Sequence, residues 1–72
     1  MMYQLTPMYA IGQTDITMYR VNAMYAGLWY GTDHTIIQSP RDGLWYGYTN
    51  DTRVTAGHTV DSLALIALLT GE

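Results

Sequence analysis

The residues best suited to acid–base or metal chemistry are two histidines, His34 and His58, because imidazole is the side chain that titrates near neutral pH. Each has an aspartate close by in the sequence, since Asp33 precedes His34 and Asp61 follows His58 within one helical turn. Neither pair has the His-x-Glu or His-Glu-x-x-His spacing of zinc ligands. We therefore expect no metal site, with His34 in a turn and His58 just before a helix.

The serines and carboxylates give no clear catalytic group either. Ser39 stands before Pro40 in a turn-like segment, and Ser62 lies where a helix should begin, a position at which a hydroxyl more often caps than attacks. The aspartates stand beside Gly, Thr or Asn, as turn and capping residues do. No Gly-x-Gly-x-x-Gly or Walker A motif is present. The sequence predicts no catalytic residue and no cofactor, so we interpret the protein as not an enzyme.

The most distinctive residues form a motif that occurs twice, Gly-Leu-Trp-Tyr-Gly at residues 27–31 and at residues 43–47; we call these the first and second aromatic motifs. In a strand, each Trp shares its face with the glycines of its own motif. Each indole could therefore cover a glycine of a neighbouring strand. Alternatively, the rings form a solvent-facing platform for a protein partner, because Trp, Tyr and Arg dominate binding hot spots. The partner-binding residues predicted on this second interpretation are Trp29, Tyr30, Arg41, Trp45 and Tyr46.

Composition excludes several classes of function. The chain has 72 residues, which suits one domain over residues 1–72, and it has no cysteine, which excludes disulfide scaffolds and thiolate zinc sites. Only 12% of the residues are charged and the formal net charge is -3, with three arginines and no lysine, so a nucleic-acid partner is not expected. The N-terminus lacks a signal-peptide pattern, and the apolar run at 63–69 is far shorter than the roughly 20 residues of a membrane span. We therefore expect no membrane association and a cytoplasmic location.

The pattern over residues 2–26 predicts strands. Alternation in residues 18–26 separates two faces, and the predicted core face carries Tyr19, Val21, Ala23 and Tyr25. Residues 2–11 alternate similarly, but Pro7 interrupts them and cannot donate to a sheet, which predicts an edge strand or a broken one. Similar residues also recur at an offset of 16, which suits a unit of two strands and two turns, although chance similarity between aromatic-rich strands explains the recurrence equally well.

A hairpin is predicted between residues 35–38 and residues 44–48. In the connecting segment 39–43, Pro40 presets a turn conformation and Gly43 can supply a positive φ.

The C-terminal segment predicts a helix from about Val60 to Thr70, because Leu and Ala dominate it. Thr59 or Asp61 can cap its start, and Gly71 stands where a terminating glycine belongs. Residues 63–69 are apolar in every direction around the helix axis, whereas packing on one sheet needs only one apolar stripe.

The surplus apolar face of this helix predicts a homo-oligomer, unless the sheet curves around the helix and covers it. The predicted oligomer-interface residues are Leu65, Ile66, Leu68 and Leu69.

Residues 55–63, Thr-Ala-Gly-His-Thr-Val-Asp-Ser-Leu, together with the helix that they open as far as residue 69, resemble the sheet-to-helix junction of HicB-type antitoxin domains. The resemblance implies a small α+β protein that binds and restrains another protein without catalysis of its own.

A second segment, residues 42–70, resembles the core strands of the trp RNA-binding attenuation protein family, whose members form rings of small β-subunits. This resemblance implies that residues 63–70 are a strand and that a ligand binds near residues 51–53. Because the chain has no lysine, it also implies a ring without RNA binding. The residues that carry the resemblance are Asp42-Gly43, Thr49, Asp51-Thr52-Arg53, Leu65-Ile66-Ala67 and Thr70.

Taken together, the sequence predicts an α+β domain, a small antiparallel β-meander of three to five strands with one C-terminal helix. The predicted function is non-enzymatic protein binding by a homo-oligomer, as a small inhibitor of a specific partner protein; phage-encoded inhibitors offer an analogy in size and charge. The alternative is a structural or small-ligand-binding subunit of an all-β homo-oligomeric ring.

Overall fold

In the computed structural model, which describes residues 2–9, 12 and 15–71, a five-stranded antiparallel sheet carries one helix on one of its faces. Each strand pairs with the next one along the chain, so the sheet is a meander with the order β1-β2-β3-β4-β5. The elements are β1 Met2–Pro7, β2 Met18–Tyr25, β3 Leu28–Gln38, β4 Trp45–Thr49, β5 Thr52–Arg53 and α1 Asp61–Thr70. The predicted α+β meander with a C-terminal helix is confirmed.

The all-β alternative is wrong, because residues 61–70 form a helix rather than a strand. Leu and Ala favour this conformation. Gly71 ends the helix at φ 79°, and its N–H binds the carbonyl of Ala67. The helix begins after Val60, whose side chain makes no capping hydrogen bond, so the expected cap by Thr59 is absent, and the Asp61 carboxylate accepts a 2.7 Å hydrogen bond from the Ser62 N–H.

The first strand is the edge strand that Pro7 predicts. It pairs with β2 alone, and Pro7 is its last residue. The offset of 16 separates adjacent strands, because Met2 begins β1 and Met18 begins β2. The expectation of two strands for every 16 residues is therefore wrong.

The hairpin between β3 and β4 is also confirmed. Ser39 N–H donates to Leu44 O at 2.9 Å, and Gly43 has φ 73°. The carboxylate of Asp42 accepts a hydrogen bond of 2.9 Å from the Leu44 N–H, which closes the turn.

A bulge in β3 divides this strand into two halves. Arg20 pairs with Thr35 but Asn22 pairs with Gly31, so β3 has two more residues than β2 between these pairs. Within the bulge, the Thr32 hydroxyl donates a 2.6 Å hydrogen bond to the Val21 carbonyl, so this carbonyl has a side-chain donor. The half of β3 before the bulge pairs with β2, and only residues 34–38 pair with β4.

The core lies between α1 and the second half of the sheet, and it is small. Val21, Ile36, Trp45 and Ala64 form the buried cluster. Helix α1 contacts β3 and β4. Because α1 does not extend over the hairpin that joins β2 to β3, that end of the sheet has no second layer among the described residues.

Candidate interaction surface

The hairpin between β2 and β3 projects beyond the core and ends in a two-residue turn. Tyr25 pairs with Leu28, and the connecting residues Ala26 and Gly27 have φ 53° and 79°. Positive φ at both central residues defines the type I′ turn, whose twist matches that of the flanking strands. The turn therefore holds the tip of the hairpin in one tight geometry.

Large apolar side chains surround this turn and remain exposed, and we call them the hairpin patch. Their exposed fractions are Tyr25 68%, Leu28 61%, Trp29 41% and Tyr30 49%. No charged residue occurs in the sequence between Arg20 and Asp33. The residues of the hairpin patch carry no charge, and the Arg20 side chain lies beside Gly31 at its border. Exposed apolar side chains grouped in this way are typical of an interaction site.

The hairpin patch covers both sides of the sheet. Tyr30 pairs with Ala23 on the side that carries α1, whereas Trp29 pairs with Met24 on the opposite side. Strand β1 extends both sides, because Tyr3 pairs with Ala23 and Met2 pairs with Met24. Tyr3 is 39% exposed and Met2 is 61% exposed.

The second aromatic motif lies in a different environment, so Trp45 does not belong to a surface site. Its indole is only 8% exposed and lies 5.6 Å from the ring of Tyr19. The placement of Trp45 as a partner contact is therefore corrected, because its side chain has almost no surface to offer. The two tryptophans also lie on opposite faces of the sheet, since Trp45 shares the α1 side with Gly47.

Neither indole covers a glycine of the other motif. The first motif lies in the half of β3 that pairs with β2 alone, so it never faces β4. A Cβ at Gly31 would instead meet the Arg20 side chain at 3.5 Å, and one at Gly47 would meet Leu68 at 3.1 Å. The interpretation of mutual cover by the two tryptophans is wrong, because the β3–β4 register pairs Ile36 with Gly47 and leaves the first motif beyond the end of β4.

Tyr46 and Arg41 lie at the other end of β3 from the hairpin patch. Tyr46 is half-buried, and its hydroxyl donates a 2.6 Å hydrogen bond to the carboxylate of Asp42. This bond raises the pKa of Tyr46, and it is also the main reason why the pKa of Asp42 lies below its usual range. The guanidinium of Arg53 lies 5.0 Å from the centre of the Tyr46 ring. The predicted partner-binding residues are thus separated into the hairpin patch, the core and this turn.

The outer face of α1 is a second exposed apolar surface. Ile66 is 56% exposed and Leu69 is 37% exposed, as expected for the predicted interface. Leu65 and Leu68 instead pack against the buried core, so their placement in the interface is corrected. Leu63, which the prediction omitted, is 44% exposed, and its spacing of three residues from Ile66 would have identified it.

The two histidines lie beside opposite ends of β4. His34 lies in β3 rather than in a turn, and its Nδ1 is 2.8 Å from the Thr49 hydroxyl. His58 lies before α1, as expected, and pairs with Trp45 through two backbone hydrogen bonds. Within residues 2–9, 12 and 15–71, no three His, Asp or Glu side chains are grouped closely enough to hold a metal ion.

An open groove of about 440 Å³ lies beside the β3–β4 turn, where Gln38, Ser39, Pro40 and Gly43 contribute to its lining. None of these four residues carries a titratable side chain. In the part of the chain that the structure describes, no helix has the length and apolar character needed to cross a membrane.

Comparison with known proteins returned no match: neither a protein-family model, nor a curated protein, nor a solved structure is similar to this chain.

Proposed function

We propose that this protein is a non-enzymatic protein-binding module that contacts its partner through the hairpin patch. The observation that supports the proposal is the exposure of Tyr25, Leu28, Trp29 and Tyr30 around one tight turn. Trp and Tyr are the residues most enriched at binding hot spots. Full burial of such a side chain contributes about 1.5–3 kcal/mol, so four of them supply enough energy for specific recognition.

The geometry of the turn favours binding by a preformed surface. A two-residue type I′ turn leaves the backbone few alternative conformations. The aromatic rings themselves have only two rotatable side-chain bonds each. A partner would therefore order little of the hairpin on binding, and most of the contact energy would appear as affinity.

The chemistry of the hairpin patch favours a protein partner with an apolar cleft. Single-stranded nucleic acids stack on aromatic platforms that are coupled to a basic groove, and residues 21–32 contain no basic side chain. A projecting apolar hairpin instead fits into an apolar cleft of a protein, because the walls of the cleft can cover both faces of the hairpin at once. A module that acts in this way inhibits its partner by occupying the cleft.

Site-specific photo-crosslinking in the native host tests the proposal. A photoreactive phenylalanine analogue at Tyr30 should give one discrete adduct with another protein, and the same analogue at Thr52, on the far edge of the sheet, should not. After identification of the partner, we expect Trp29→Ala to weaken binding at least about tenfold.

Leu63→Ser is the matched control, because it removes a comparably exposed apolar side chain from α1 and should leave the affinity unchanged. Circular dichroism verifies that each variant is folded. If folded Trp29→Ala and Leu28→Ser variants bind as tightly as the wild type, the hairpin patch is not the contact surface.

A further inference from the structure

The two edges of the sheet differ in how their backbone groups are satisfied. On the outer side of β4, where β5 pairs only with Tyr48 and Thr49, the N–H and the carbonyl of Trp45 both bind His58, at 2.7 and 2.9 Å. The Gly47 N–H donates to the Thr55 hydroxyl at 2.8 Å, and its carbonyl accepts from the Val54 N–H at 2.9 Å. The segment from Val54 to His58 therefore covers the outer side of β4 from Trp45 to Gly47, and the two-residue β5 is the edge strand on this side of the sheet.

The β1 edge has no such cover among the described residues. Met8 N–H donates to Met18 O at 2.9 Å, so in this antiparallel pair the even-numbered residues of β1 bind β2. The odd-numbered residues Tyr3, Leu5 and Pro7 direct their backbone groups away from the sheet. Pro7 has no N–H, and its position in the strand requires none. The backbone N–H and carbonyl of Tyr3 and of Leu5 therefore point away from β2, toward the open side of β1.

Pro7, at the end of β1, is the one usual feature against pairing that residues 2–7 contain. Natural edge strands carry charged side chains, bulges or proline to prevent the approach of another strand. Residues 2–7 are Met-Tyr-Gln-Leu-Thr-Pro, with no charge and with proline only at the end. The register between β1 and β2 is regular over all six pairs, so no bulge twists β1 away.

We propose that the β1 edges of two copies of this chain pair antiparallel around a two-fold axis perpendicular to the sheet. Tyr3 of each copy then faces Leu5 of the other, and each such pair forms two backbone hydrogen bonds. The strand suits its own copy because antiparallel pairing with itself brings no like charges together. Helix α1 contacts β3 and β4, which keeps it away from the new junction.

The occupant is a second copy rather than an open series of copies, because the opposite edge strand, β5, has only two residues and offers another strand little backbone to pair with. Pairing of the two free edges uses the free edge of each copy and produces a closed dimer. In this dimer β1 of each copy runs in the opposite direction, so the two hairpin patches lie at opposite ends of a joined sheet. The inference rests on backbone groups at β1 and stands independently of the proposed function.

Sedimentation and hydrogen exchange test the dimer directly. We expect the sedimenting mass to change from that of a monomer to that of a dimer as the protein concentration rises from about 5 to about 500 µM. An interface made by one pair of short strands is smaller than the interfaces of tight complexes. The amide hydrogens of Tyr3 and Leu5 should become protected over the same concentration range. Those of Gln4 and Thr6 bind β2 and should be protected at every concentration.

Two substitutions at the edge distinguish pairing from other contacts. Tyr3→Pro removes one outward donor without breaking a bond to β2, and Tyr3→Lys adds an edge charge if the proline variant does not fold. Either should raise the dissociation constant at least about tenfold. Tyr25→Lys places the same charge on β2, away from the edge, and Ile66→Glu places a charge on α1; both should remain dimeric.

Any one of four results would overturn the proposal. The first is a wild-type protein that stays monomeric at about 500 µM. The second is a folded Tyr3→Lys variant with an unchanged dissociation constant. The third is a loss of the dimer in Ile66→Glu alone, which would assign the interface to α1. The fourth is slow hydrogen exchange at the Tyr3 and Leu5 amides only when a different protein is present, which would show that the strand paired with β1 does not come from a second copy of this chain.

Discussion

The two aromatic motifs have the same five residues and opposite environments. In the first motif every residue is exposed, and in the second motif Trp45 and Gly47 are buried while Leu44 and Tyr46 are half-buried. Both follow a turn and begin a strand, with Gly27 and Gly43 both at positive φ. The difference arises because α1 packs over β4 and not over the β2–β3 hairpin. The same five residues are therefore exposed on a projecting hairpin in the first motif and contribute to the core in the second motif.

The largest expected difference is between the two tryptophans. Trp45→Ala should lower the free energy of unfolding by about 3–5 kcal/mol, because it leaves a cavity beneath α1. Trp29→Ala should lower it by about 1 kcal/mol or less, because that ring is already partly in solvent. Urea denaturation followed by circular dichroism measures both. Equal losses in the two variants would show that the motifs are not energetically distinct.

The next largest difference in stability is expected between alanine substitutions of the last glycine in each motif. A Cβ at Gly47 would lie 2.9 Å from Thr55 Cγ2 and 3.1 Å from Leu68 Cβ. Gly47→Ala should therefore cost about 1–3 kcal/mol through overpacking. The nearest atom to a Cβ at Gly31 is Arg20 Nη1 at 3.5 Å, which is ordinary contact, so Gly31→Ala should be almost neutral. A neutral Gly47→Ala would contradict the close approach of α1 to β4.

Substitutions in the turns at which the two motifs begin should change the free energy of unfolding by smaller amounts and in opposite directions. Ala26 occupies a left-handed position at φ 53°, where Asn is better accommodated. Ala26→Asn should raise the free energy of unfolding by about 0.5–1 kcal/mol, whereas Gly43→Ala should lower it by about 1 kcal/mol. Thermal denaturation detects both. A stabilising Gly43→Ala would be inconsistent with its positive φ.

The smallest effect concerns the tyrosine of the second motif. Asp42→Asn should lower the pKa of Tyr46 toward its ordinary value of about 10, because the charged acceptor of its hydroxyl is removed. Ultraviolet difference titration measures this pKa. An unchanged titration curve would show that the bond to Asp42 does not persist in solution.

The same bond predicts a pH window for stability. Because folding lowers the pKa of Asp42, its contribution is present at neutral pH and is lost as the pH falls through the acidic range. Because folding raises the pKa of Tyr46, the contribution is also lost as the pH rises through the alkaline range. The bond therefore stabilises the turn between these two limits.

Much of the fold was predictable from local residue patterns. Alternation identified β2, Pro7 identified the edge strand, and the Leu- and Ala-rich segment ending at Gly71 identified α1. These features depend on backbone propensity and on residues close in sequence. The site was predicted less well, because Trp45 was expected on the surface and Leu65 and Leu68 were expected in an interface.

The sequence alone predicted a meander with one C-terminal helix and showed the same aromatic motif twice, while the structure decided between helix and strand for residues 63–70. Only the tertiary structure decided which indole is buried. The odd-numbered residues of β3 lie on the face opposite α1, and those of β4 lie beneath it. The packing of α1 on β4 brings together residues distant in sequence, and for that reason two identical motifs could not be distinguished from their own residues.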